Sequence, residues 1–282
     1  MKTTTFDLKA LYPDALKDAP ETLITEYVAD VSPEIKDVPR PVMIVFPGGG
    51  YRMLSDRENE PICLEYLAKG FHVFALKYAI RGYAYPVQLL QACATIRYIR
   101  THAKELNIDP QKISVVGFSA GGHCAAMFAT MANEPVVLNA FGAKKGDLVP
   151  NAAVLCYPVL VNRFGHKGTF DEISGGDDTL REYLSLEQRV TPDTPPCYIF
   201  HTFSDEAVDV RNSLYFAAAL KENGVSAQIR IAENGPHGVS LADDRVASNN
   251  SGWKDKPHFD FPECKGWLEE SVEFLRRHNL WL

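Results

Sequence analysis

The sequence predicts an α/β architecture, with a mostly parallel central sheet and helices on both of its faces. Two observations carry this. Strand-length apolar runs alternate with longer segments of helical periodicity at least five times along the chain, and that alternation builds parallel sheets. The short runs are also continuously apolar, as strands buried on both faces must be.

The predicted core strands are PVMIVF (41–46), FHVFALKY (71–78), KISVVGF (112–118), AAVLCYPV (152–159), CYIFHTF (197–203) and AQIRIA (227–232). TLITEYVAD (22–30) is expected to add an antiparallel edge strand. Helices are predicted over 56–69, after the cap residues Ser55-Asp56, and over 86–105, where Pro86 suits a first turn. Others are expected over 120–132, over 209–222 with Asn223-Gly224 as a stop, and over 263–278 after Pro262. Segment 160–196 breaks the rhythm with Gly165, Gly168, Gly175, Gly176 and a TPDTPP stretch. It reads as an insertion over the active site, with one helix near 178–188, inside a single domain spanning 1–282.

Bulk composition narrows the function. Acidic residues outnumber basic ones by 36 to 29, which argues against a nucleic-acid partner. No apolar run approaches the roughly 18 residues of a membrane span, and the opening MKTTTFDLKALYPD lacks the apolar stretch of a secretory signal. A cytoplasmic protein is expected. The six cysteines (63, 93, 124, 156, 197 and 264) contain no C-x-x-C pair and fall mainly in apolar segments. They read as buried thiols, with no metal site and no cofactor implied. The closing LWL offers a hydrophobic contact for a homo-oligomer.

The sharpest local signal is GFSAGG (117–122), which matches G-x-S-x-G at Gly117, Ser119 and Gly121. A predicted strand runs into it and an Ala-rich helix leaves it, the setting in which a serine projects above a sheet as a nucleophile. PGGGY (47–51) follows another buried strand. Its glycines allow backbone N–H groups to approach a substrate oxygen, so Gly48 and Gly49, with Ala120 after the nucleophile, are the expected oxyanion donors.

The order Ser, acid, His directs attention to loops after later strands. His237 lies in ENGPHGVS (233–240), just beyond AQIRIA, and is the expected base. The other histidines lack that setting or come in the wrong order. Asp205 lies in HTFSDEAVDV (201–210) and is the expected acid, with Glu206 a weaker rival and Asp209 better suited to the head of the next helix. Tyr51, Tyr83, Tyr85 and Tyr157 stand near predicted strand ends, where they would line a substrate pocket or simply pack.

With PGGGY, GFSAGGH, HTFSDEAV and GPHG in this order, the chain resembles the esterase and lipase branch of the α/β-hydrolase superfamily. It is similar to small acetyl esterases, including xylan-esterase-like proteins. It departs from the hormone-sensitive-lipase-like pattern at Pro47, where that group has His, and at Phe118, where it tends to have Asp. The resemblance implies hydrolysis of short acyl esters, acetyl above all, of small alcohols or sugars. The competing expectations are a serine peptidase of the prolyl-oligopeptidase type and a non-catalytic binding protein on the same fold.

Overall fold

A sheet of eight strands forms the spine of the molecule, in the spatial order β1-β2-β4-β3-β5-β6-β7-β8. The strands are β1 (Lys2–Asp7), β2 (Leu23–Val28), β3 (Arg40–Phe46), β4 (His72–Leu76), β5 (Ile108–Phe118), β6 (Ala152–Cys156), β7 (Cys197–Thr202) and β8 (Ala227–Ala232). The computed structural model describes residues 1–30, 32–34, 38–247 and 261–282. From β4 across to β8 every neighbouring pair is parallel. β1 and β2 join antiparallel at one side.

The central strands show why their sequences read as continuous apolar runs. In β3, Val42, Ile44 and Phe46 point into one core while Met43 and Val45 point into the other. In β7, Cys197 and Ile199 share the first core, and Tyr198 and Phe200 the second. Both faces are therefore covered. β2 departs from the expectation: it does not form the edge, because β1 pairs outside it with Thr5 opposite Thr25. No residue of the KTTTFD segment is fully buried, so it carries no apolar alternation, but its β-branched threonines suit a strand.

The helices are α1 (Leu8–Leu11), α2 (Glu60–Ala68), α3 (Val87–Thr101), α4 (Ala120–Met131), α5 (Pro135–Phe141), α6 (Lys167–Ser174), α7 (Asp178–Tyr183), α8 (Arg211–Glu222) and α9 (Trp267–Arg277). α3, α4 and α8 cover the first core; α2 and α9 cover the second. The helix expected over 56–69 is split: a single 3-10 turn spans Asp56–Glu58, and α2 starts anew with Pro61 in its first turn. Segment 160–196 holds two helices, α6 and α7, where one was expected. The C-terminal LWL is used within the chain: Leu280 is buried, and the Trp281 indole donates to the Lys69 carbonyl at 3.0 Å. All six cysteines are buried free thiols. Among the described residues, no helix is long and apolar enough to cross a membrane.

Candidate active site

The C-terminal ends of β3, β5, β7 and β8 lie along one edge of the sheet, as their parallel registers require. The loops leaving those ends carry the glycine run, Ser119, Asp205 and His237, at the edge where open α/β sheets bind ligands. Ser119 sits at the turn between β5 and α4 with φ +53° and ψ −117°, a strained backbone for any L residue, costing about 1–3 kcal/mol. Three bonds hold it there: its N–H donates to Cys156 O, and its carbonyl accepts from the N–H groups of His123 and Val159. Glycine is needed on either side for want of space. A Cβ on Gly117 would lie 2.3 Å from the Gly121 carbonyl oxygen, and one on Gly121 would lie 2.1 Å from that of Phe46.

Ser119, His237 and Asp205 are brought together in a chain. The Ser119 Oγ lies 2.8 Å from His237 Nε2, and His237 Nδ1 lies 2.7 Å from Asp205 Oδ2. The other carboxylate oxygen, Oδ1, accepts from the N–H groups of Ala207 and Val208, each at 2.9 Å. Burial alone would push the Asp205 carboxyl up. Hydrogen bonds from His201 and His237, the nearby His237 ring and the Val208 N–H outweigh it and hold the group well below the usual carboxylate range. An ionised Asp205 accepts a hydrogen bond from Nδ1–H, which leaves Nε2 as the acceptor for the serine hydroxyl. Gly235 N–H donates to Ser204 Oγ at 3.0 Å, tying the acid loop to the histidine loop. Of the rival carboxylates, Glu206 is exposed and Asp209 pairs with Arg211 at the head of α8.

The glycine run behaves differently from the expectation in one respect. The Gly48 N–H is occupied: it donates to Glu58 Oε2 at 2.9 Å. A donor bonded to a buried carboxylate is not free for an oxyanion, so Gly48 is corrected as a candidate. Gly49 and Gly50 line the cavity beside Ser119. Ala120 opens α4, where a first-turn N–H has no partner inside the helix.

The cavity holding Ser119 and His237 has a volume of about 330 Å³ and is bounded by Gly50, Met53, His166, Thr169 and Val208. A larger one of about 470 Å³ shares Met53 but contains none of Ser119, Asp205 and His237. None of the four tyrosines lines the Ser119 cavity. Tyr51 is fully buried with its hydroxyl 2.9 Å from His123 Nδ1. Tyr157 is buried, donates to Glu58 Oε1 at 2.8 Å, and sets its ring edge-on to His237 at 5.2 Å. Tyr85 packs on Tyr183, and Tyr83 offers its carbonyl to Gln88. The rings of Tyr51, Tyr85 and Tyr157 serve packing and support, which is the commoner fate of such residues.

His123 and His201 are buried supports: His123 bonds Tyr51 and the Leu184 carbonyl, and His201 bonds Ser213 and the Val208 carbonyl. His258 lies outside the described residues. Sequence reasoning missed Glu58, Met53, His166 and Thr169 as neighbours of Ser119. Their only local signal is position: Met53 and Glu58 follow the glycine run, and His166 and Thr169 fall in the segment expected over the site.

Comparison with known proteins agrees with this fold. A family model described as BD-FAE matches residues 31–161. The chain is 33% identical to endo-1,4-beta-xylanase B of Butyrivibrio fibrisolvens over 77% of its own length. It spans only 35% of that curated relative. Among solved structures, an acetyl ester-xyloside bifunctional hydrolase from Caldicellulosiruptor lactoaceticus is 32% identical with a TM-score of 0.77, covering 99% of this chain and 97% of that one. A carboxylesterase from Lactobacillus plantarum is 27% identical with a TM-score of 0.86, covering 100% and 99%.

Proposed function

The chain belongs to the esterase branch of the α/β-hydrolase family, and from that membership we propose that it is a serine carboxylic ester hydrolase acting on short acyl esters, acetyl above all, of small alcohols or sugars. The observation that carries the reading is the unbroken chain from Ser119 Oγ through His237 to Asp205, with bonds of 2.8 and 2.7 Å. In the proposed cycle Ser119 attacks the acyl carbon while His237 takes its proton. The oxyanion is met by the N–H groups of Gly49, Gly50 and Ala120. His237 then protonates the departing alcohol, and water activated by the same ring releases the acid. Asp205 stays ionised and stabilises the imidazolium.

The acetyl preference rests on the small cavity and on the likeness to an acetyl ester hydrolase. Segment 160–196 is proposed as a cover over the site within a single domain, since its His166 and Thr169 face the cavity. Six buried free thiols fit a reducing, cytoplasmic setting.

Turnover of p-nitrophenyl acetate, butyrate and octanoate by the wild type and by Ser119→Ala tests the whole reading. The wild type is expected to favour acetate, and the variant to lose about 10⁵-fold or more in kcat. Equal, slow rates for both proteins would show that Ser119 is not the nucleophile.

A further inference from the structure

We propose that Glu58 is a positioning residue for the oxyanion donors, acting with Tyr78 as a clamp on the Pro47–Gly48 peptide; this rests on the serine-hydrolase reading above. Glu58 is 3% exposed. A buried carboxylate is costly unless its oxygens are well bonded, and an apolar side chain would fill the same space beside the nucleophile without that cost. What Glu58 does with its oxygens therefore matters. Oε2 accepts the Gly48 N–H at 2.9 Å. At the other end of the same peptide, the Pro47 carbonyl accepts from the Tyr78 hydroxyl. Rotation of that peptide would break both bonds at once.

The following carbonyls are tied down within the loop. Gly48 O accepts from Ser55 N–H at 3.0 Å, and Gly49 O accepts from Arg52 and Met53 N–H at 3.0 and 3.1 Å. With the peptide before them clamped and these carbonyls turned inward, Gly49 and Gly50 are left to present their N–H groups beside Ser119. Glu58 reaches the other arm as well. Its Oε1 accepts from Tyr157, whose ring supports the His237 imidazole and whose oxygen accepts from Ser240 N–H at 2.9 Å. One carboxylate thus touches a support of the donors and a support of the base.

The test compares kcat and KM for p-nitrophenyl acetate in the wild type, Ser119→Ala, Glu58→Ala, Glu58→Gln and Tyr78→Phe, with thermal melts of each and the affinity of a phenylboronic acid as a tetrahedral mimic. Glu58→Ala is expected to lower kcat about 100-fold, the scale of losing an oxyanion donor, and to weaken boronate binding while KM stays within about threefold. In Glu58→Gln the amide oxygen still accepts from Gly48 and the NH₂ donates to Tyr157, so kcat recovers to within about tenfold of wild type. Tyr78→Phe, which touches no substrate, is expected to lower kcat about tenfold, in line with one lost hydrogen bond. A folded Glu58→Ala with kcat within about threefold of wild type, or a rise in KM alone, overturns the clamp. If Glu58→Ala does not fold, an unchanged kcat in Tyr78→Phe overturns it. Loss of activity in Ser119→Ala with none in the clamp variants would sink the clamp only; no difference between wild type and Ser119→Ala would sink the hydrolase reading and the clamp with it.

Discussion

The two arms of the site that meet at Ser119 are built from different material. On one side stand side chains: His237 and Asp205 arrive on loops after β8 and β7, and their polar atoms are satisfied by one another and by Ala207 and Val208 N–H. On the other side stands backbone: the proposed donors are main-chain N–H groups, two of them on glycines, and the peptide before those glycines is bonded by the carboxylate of Glu58 and the hydroxyl of Tyr78. A side-chain arm fails when one functional group is replaced. A backbone arm fails when its conformation is lost, even if every group remains.

Asp205→Asn should break the side-chain arm most severely. The amide retains the shape but favours the wrong imidazole tautomer, so kcat for an acetyl ester should fall about 10⁴-fold with the melting temperature little changed. A loss under tenfold would mean that Asp205 does not orient His237. Two neighbouring glycines sharpen the contrast on the backbone side. Gly49 has φ +129°, and a Cβ there would lie 2.2 Å from the Met53 carbonyl oxygen; Gly50 has φ +64° with open space, its nearest neighbour being Thr169 Oγ1 at 3.8 Å. Gly49→Ala is expected to lower kcat about 100-fold through displaced donors, whereas Gly50→Ala costs about 1 kcal/mol of stability and little rate. Equal effects in kinetics and melts would show that the loop conformation is not what matters.

Acid separates the arms more gently. His123 packs between Tyr51 and Phe170, bonded to the Tyr51 hydroxyl, and burial lowers its pKa from the ordinary 6.5 to about 4, partly offset by the Leu184 carbonyl. The unfolded chain therefore takes up this proton first. The stability held by neutral His123 is complete above about pH 6.5 and is lost as pH falls toward 4, with a slope of about 1.4 kcal/mol per pH unit. Asp205, held below the usual carboxylate range, stays ionised through the same window. His123→Gln should flatten the fall in unfolding free energy between pH 7 and pH 5, read by urea denaturation. An unchanged slope would place the proton uptake elsewhere.

What could be read in advance follows the same division. Ser119, Asp205 and His237 each stand in a strand-to-loop setting a few residues long, so local pattern was enough to single out three residues that the fold brings within hydrogen-bond distance. The core strands were legible because burial on both faces writes itself as a continuous apolar run. β1 was not, since no residue of KTTTFD is fully buried and its strand character comes from pairing with β2. The tyrosines could not be assigned in advance, because an aromatic near a strand end looks the same whether it faces a ligand or a core.

The order of elements, the nucleophile turn and the chemistry of the three side chains are properties of short stretches, governed by periodicity, sterics and residue type. The engagement of the Gly48 N–H, the turning of Tyr157 from pocket to support, and the placing of His166 and Thr169 at the cavity beside Ser119 are not. Glu58 lies 10 positions from Gly48 and 99 from Tyr157, so one carboxylate joins a near partner to a distant one. Which donor is free and which is taken was decided when the sheet packed, because a hydrogen bond is settled by distance and direction in space.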